Sequence, residues 1–208
     1  MSAVLETKKP KMQEVWLVLR GERVRKKIPL SPEIEQELLA SGRYEIVYGE
    51  IRERAMPSPM HGRIQARIAA RLLMFVEENN LGVVYTETLF EFAENLARIP
   101  DVAFVSLARF PEGGEEKGSR WHLAPDLAVE VISPTDNYAD VEEKISEYFA
   151  FGVKQVWIVS PESKTLTVYR SRKQATILGE EDELQDDDVL RGFRMKLSDI
   201  FQAPQQAR

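Results

Sequence analysis

From Pro125 to Pro161 the chain reads PDLAVEVISP, then TDNYADVEEKISEYFAFG, then VKQVWIVSP. Alternation with a period of two predicts a strand in the first piece. Leu127, Val129 and Val131 take one face, and Asp126, Ala128, Glu130 and Ile132 the other. The middle piece repeats at helical spacing from about residue 137 to 151. Its buried stripe is Tyr138, Val141, Ile145, Tyr148 and Phe149, with Gly152 as the stop. The third piece is again apolar and predicts a strand. A strand–helix–strand unit with two carboxylates on one strand face is the frame for the rest.

Before this unit, Glu14–Leu30 reads as a hairpin turning at Arg20-Gly21-Glu22. Ser31 and Pro32 open a short helix carrying Ile34, Leu38 and Leu39, which Gly42 ends. Arg43–Arg54 predicts a second hairpin turning near Tyr48-Gly49. Ser58 caps a long helix in which Ile64, Ile68, Leu72, Phe75 and Val76 recur on the core side. Val83–Phe92 predicts one alternating strand and Pro100–Ser106 another. Residues 111–120 form a charged, glycine-rich loop expected to be mobile. Lys164–Arg170 predicts a strand hairpinned to the third piece, and Leu197–Phe201 a last short element. The order implies an α/β domain with a mixed central sheet flanked by helices. Residues 1–42 are read as an N-terminal β-hairpin extension and residues 43–208 as the main domain.

Composition narrows the chemistry. At 208 residues and 43% hydrophobic, the chain can bury one core. The formal charge of −6 argues against passive coating of nucleic acid. The acids are concentrated in 179–190, so the rest is near neutral and a local basic groove is allowed. With no cysteine there is no disulfide and no thiolate site, and with two histidines a zinc site is not expected. No apolar run is long enough to span a membrane and the N-terminus lacks an apolar signal core, so a cytoplasmic protein is expected.

An ionised side chain in mid-strand needs a partner. Asp126 and Glu130 share a face but lie about 13 Å apart at ~3.3 Å per residue, too far to grip one ion. Asp101, at the start of a neighbouring strand, is the better partner for Glu130. Two carboxylates that close repel unless a hard cation such as Mg²⁺ (or Mn²⁺) takes both. Lys144 flanks the buried stripe of the helix, whereas Glu142, Glu143 and Glu147 lie further round. It is the charged residue best placed to reach Glu130. Such a set is suited to hydrolysis by metal-activated water. Asp126 reads better as a residue fixing a strand start, and His122 as packing beside Trp121. Arg63, Arg67 and Arg71 form a ridge that is either solvated or in contact with phosphate.

Pro100-Asp101 on one strand and Glu130 on the next resemble the PD-(D/E)XK nuclease superfamily and its restriction-endonuclease-like fold. PDVAFV, PDLAVEVISP, DVEEK and YFAFGVKQVWIVSPE together resemble the Uma-two family of endonucleases within it, over roughly residues 40–170. The resemblance implies a Mg-dependent endonuclease acting on DNA, with Asp101 and Glu130 as metal ligands and Lys144 as the catalytic lysine. The usual lysine position, two after the acid, holds Ile132 here, so the lysine has moved to the next helix. Members often carry an acid or amide on the first helix, a role open to Gln65 or His61, with Glu50 and Glu87 as further candidates. A homodimer is a further expectation. The alternative is an inactive nuclease-fold module that binds a partner.

Overall fold

The structure is a computed structural model describing residues 12–203 apart from 20, 21, 30, 31, 49, 119, 134 and 135; side chains are described from residue 36 onward. The expected turn residues Arg20 and Gly21, the cap Ser31 and the apolar side of the first helix at Ile34 lie outside this set, as does Gly49.

Two six-stranded sheets carry the fold. The first contains β1 (Met12–Leu19), β2 (Glu22–Pro29), β3 (Tyr44–Val47), β4 (Glu50–Glu53), β6 (Phe90–Ala93) and β7 (Leu96–Arg98), ordered β2-β1-β4-β3-β7-β6. The central sheet contains β5 (Gly82–Thr86), β8 (Val102–Ser106), β9 (Leu127–Val131), β10 (Gln155–Ser160), β11 (Thr165–Ser171) and β12 (Gln174–Leu178), ordered β12-β11-β10-β9-β8-β5. It is mixed: β9 and β10 run parallel through α3 (Tyr138–Ala150), and the other neighbours are antiparallel. The remaining helices are α1 (Pro32–Ala40), α2 (Pro59–Glu78) and α4 (Ser198–Phe201), and β13 (Glu183–Asp186) pairs with β14 (Phe193–Lys196).

The alternation read from the sequence sorts the layers. Ile64, Ile68, Leu72 and Val76 of α2 pack on Leu127, Val129 and Val131, whereas α3 packs through Ile145 and Tyr148 on Ala128, Val156 and Ile158. Each helix therefore covers one face of the central sheet. The first sheet reaches the α3 side, where Phe90 joins Ala103, Val105 and Trp121. Ser58 caps α2 by accepting from the His61 backbone N–H, and Asn137 caps α3 by accepting from Ala139.

Several expectations are corrected. Val83–Phe92 is two strands in different sheets, broken at Glu87, whose φ is +50°. Tyr138, the first residue of α3, is 77% exposed. Glu147, read as lying further round α3 than Lys144, is buried, and Arg98 meets it. The acidic segment forms part of a folded hairpin: Leu184, Leu190, Phe193 and Met195 enter the α2-side core. Buried Asp186 there accepts backbone N–H bonds from Asp188 and Leu190, both at 3.0 Å. The 111–120 loop is tied down at Glu115 by Tyr85 Oη and at Glu116 by His122. Among the described residues, no helix is long and apolar enough to cross a membrane.

Candidate active site

Arg98 ends β7 in the first sheet and Val102 begins β8 in the central sheet, so Ile99, Pro100 and Asp101 carry the chain across. β8 pairs with β9 in the register Val102↔Val129 and Ala103↔Ala128. One step further places Asp101 opposite Glu130, on the face that α3 covers. The Val131 N–H donates to Asp101 Oδ2 at 2.6 Å. Both carboxylates are buried, at 2% and 7% exposure, and both line a cleft of about 500 Å³ between the first sheet, the ends of β8 and β9, and α3.

Lys144 lines the same cleft, with Nζ 3.1 Å from Glu130 Oε2. The other Glu130 oxygen accepts from Tyr148 Oη. Like charges facing each other across a ladder are destabilising unless compensated, and the compensation is visible. Burial pushes the Glu130 carboxyl up, Lys144 pulls it down, and Asp101 and Glu45 push it up again; the net displacement is upward. For Lys144, burial alone would favour the neutral amine, but Glu130 and Glu45 override it and the ammonium is held more firmly than usual. The two carboxylates thus favour the charged form of Lys144.

Asp101 has its own cations. Arg54 Nη2 stands 3.1 Å from Oδ1, and His61 Nε2 stands 3.3 Å from the same oxygen. The histidine contact is a charge contact without hydrogen-bond alignment, since Nε2 is buried and has no directed partner. Burial disfavours the imidazolium, but Asp101 and Glu87 favour it more strongly, and the His61 pKa is raised. Gln65 Nε2 donates to Glu87 Oε1 at 2.7 Å and to the Asp101 carbonyl at 2.9 Å. Arg54 also pairs with Glu87. His61, Gln65 and Glu87 are thus gathered around Asp101. Glu50 lies at the cleft rim, 44% exposed and 3.9 Å from Arg52.

Other candidates stand elsewhere. Asp126 is fully buried, accepts from the Ser106 N–H at 2.8 Å and pairs with Arg109 and Lys154, so it ties the start of β9 to β8. Two residues of the arginine ridge have partners within the chain. Arg67 donates to the carbonyls of Ile200 and Gln202, and Arg71 pairs with Asp199 at 3.0 Å, so both hold the C-terminal segment against α2. Arg63 is half-buried. His122 is largely exposed and bound to Glu116, while Trp121 does the packing.

Glu45, Arg54 and Arg98 were not singled out by the sequence. Two of the three carried a signal: Glu45 lies in YEIV and Arg98 in LARIP, charged residues among strand formers, as Glu130 is. Tyr148 was legible as core but not as a donor to Glu130. Two carboxylates with open cleft beside them suit a hard divalent cation, which keeps several waters and needs few protein ligands. Among the described residues no three of His, Asp and Glu form a ready ligand set, so the rest of the coordination would fall to water and substrate. Four buried carboxylates, Glu45, Asp101, Glu130 and Glu147, face Arg54, Arg98 and Lys144, with His61 beside Asp101.

The crystal structure of "a putative nuclease belonging to DUF820" from Anabaena variabilis ATCC 29413 superposes with a TM-score of 0.67. The match covers 76% of this chain and 89% of that one at 23% identity, a likeness of fold. No curated protein matches the chain. A family model, Uma2, described as "Putative restriction endonuclease", matches residues 33–198. With that match spanning most of its length, on a nuclease-like α/β fold, the chain belongs to the Uma2 family.

Proposed function

We propose that the protein is a metal-dependent endonuclease that hydrolyses phosphodiester bonds in DNA at the cleft between the two sheets. One observation carries the reading: Asp101 and Glu130 face the same cleft from neighbouring strands, with the Lys144 ammonium 3.1 Å from Glu130. Asp101 and Glu130 would hold Mg²⁺ or Mn²⁺. The ion supplies Lewis-acid polarisation of a phosphoryl oxygen and acidification of water. Lys144 offsets the negative charge that develops on the phosphate, a role for which its firmly held proton suits it. Tyr148 orients Glu130 through its hydroxyl, and the Val131 N–H orients Asp101. A cation held by Asp101 would compete with Arg54 for that carboxylate, and the Arg54 guanidinium, still paired with Glu87, would then have a donor to offer a phosphate oxygen.

The test is cleavage of supercoiled plasmid, duplex and single-stranded oligonucleotides, and RNA, with Mg²⁺ or Mn²⁺. Glu130→Gln, which keeps the side-chain volume, is expected to lower cleavage by roughly 10²-fold or more. Equal cleavage by wild type and variant would remove the site from consideration. The Arg54–Asp101 pair also favours a second reading, a cation-independent binding module in which an internal arginine replaces the metal. Titration calorimetry with Mn²⁺ separates the two: no heat in the folded wild type supports the module.

A further inference from the structure

A chain of ion pairs, Lys144–Glu45–Arg98–Glu147, joins the first sheet to α3 immediately behind Lys144. Glu45, on β3 and 4% exposed, presents both oxygens inward. Its Oε2 accepts from Arg98 Nη1 at 3.0 Å. Its Oε1 accepts from the Ile99 N–H at 2.9 Å and stands 3.5 Å from Lys144 Nζ. Arg98, also buried, turns its Nε to Glu147 Oε2 at 2.7 Å. Glu147 lies one helical turn beyond Lys144 on α3. The first sheet therefore offers an anion to Lys144 and a cation to Glu147, and α3 offers the complementary pair in return. Arg98 Nη2 adds a looser contact of 3.5 Å to Glu143.

The arrangement is specific in a way that a surface ion pair is not. A lysine has a flexible stem and a strongly hydrated head, and from a helix at a cleft edge it tends to reach for water. One carboxylate at 3.1 Å leaves it that freedom. A second carboxylate, fixed from another sheet by a backbone N–H and a buried arginine, restricts the ammonium to the space between the two acids. Glu45 borders the same cleft, but both its oxygens are engaged by Arg98, the Ile99 N–H and Lys144, so it acts on Lys144 rather than on substrate.

We propose that Glu45, braced by Arg98, is a positioning residue that holds the Lys144 ammonium against Glu130. The proposal rests on the reading of Asp101, Glu130 and Lys144 as the catalytic centre, but its physical content, the fixing of one ammonium, is measured separately. The experiment uses the full chain with ¹⁵N-labelled lysine and compares wild type with Glu45→Gln, which keeps an acceptor for Ile99. The Lys144 ammonium signal, assigned by its loss in Lys144→Arg, is expected to be sharp and slow to exchange in wild type and broadened or lost in Glu45→Gln. In the same variant, kcat on plasmid with Mn²⁺ is expected to fall roughly 10- to 100-fold, with KM for DNA little changed. An unchanged Lys144 signal in folded Glu45→Gln, or no protected signal in wild type, overturns the proposal. If Glu45→Gln does not fold, Glu45→Asp, which withdraws the carboxylate by one methylene, carries the same readouts. Wild type that cleaves no nucleic acid would sink the nuclease reading while the ammonium signal still decides the role of Glu45.

Discussion

Glu45 and Glu130 are both buried acids within reach of one ammonium, yet their proton affinities move in opposite directions. For Glu130, burial and two neighbouring acids outweigh Lys144, and the carboxyl is pushed up. For Glu45, burial works upward as well, but Lys144, Arg98 and Arg54 together override it and bring the pKa from 4.5 down to about 2. A folded-state pKa below the unfolded one stabilises the fold wherever the unfolded chain would also be ionised. The contribution of Glu45 is therefore complete above about pH 4.5 and is lost as pH falls toward about 2. In thermal unfolding, the margin of wild type over Glu45→Gln should shrink across that window and be constant from pH 5 to 7. A margin that grows on acidification would contradict this sign. The same residues show what was legible. Glu130 stood out as an acid in an apolar run, and Asp101 could be paired with it because adjacent strands are close. Glu45 gave the same local signal, but its value comes from Arg98, Lys144 and Ile99, separated from it by about 50 to 100 positions and brought to it only by the packing of the two sheets.

The elements are held by close approaches as much as by their patterns. Gly82 opens β5 opposite Ser106, and a Cβ there would lie 2.1 Å from the Val105 carbonyl oxygen and 2.8 Å from Ser106 Cα. Both obstacles are backbone, so the strand itself must shift. Gly82→Ala is expected to cost on the order of 3 kcal/mol, read as a lower midpoint in urea unfolding; an unchanged midpoint would mean that β5 has slack. Most elements were legible because alternation and helical spacing follow burial directly, as at Leu127–Val131 and along α2. The errors share one cause, a change of partner that leaves the local period intact. VVYTETLFEF alternates throughout, although the chain leaves the central sheet after Thr86 and joins the first at Phe90. The stripe of α3 continues to Tyr138 by spacing alone, although the first residue of the helix stays exposed. In the acidic stretch, Leu184 and Leu190 carry the burial and are outnumbered by charged neighbours.

Across the whole molecule, the net charge of −6 is joined by carboxylates concentrated in one cleft. Folding assembles these acids, and the unfolded chain disperses them. A divalent cation that binds the assembled pair should therefore stabilise the native state by mass action, about 2.7 kcal/mol at a free concentration one hundred times Kd. Thermal melts with and without Mn²⁺ are expected to show a rise in Tm that chelation reverses and that Glu130→Gln diminishes. Equal rises in both proteins would place the ion elsewhere. The passage from Arg98 to Val102 adds a constraint of another kind. Three residues take the chain from one sheet to the other, and the last of them is Asp101. A change of one residue in that link, where it is taken up as a slip of β8 on β9, would turn the acid toward α2, on the far side of the sheet. The spacing around Pro100 is therefore closed to insertions and deletions, whereas a surface connection such as residues 111–120 can change length without moving any group in the cleft.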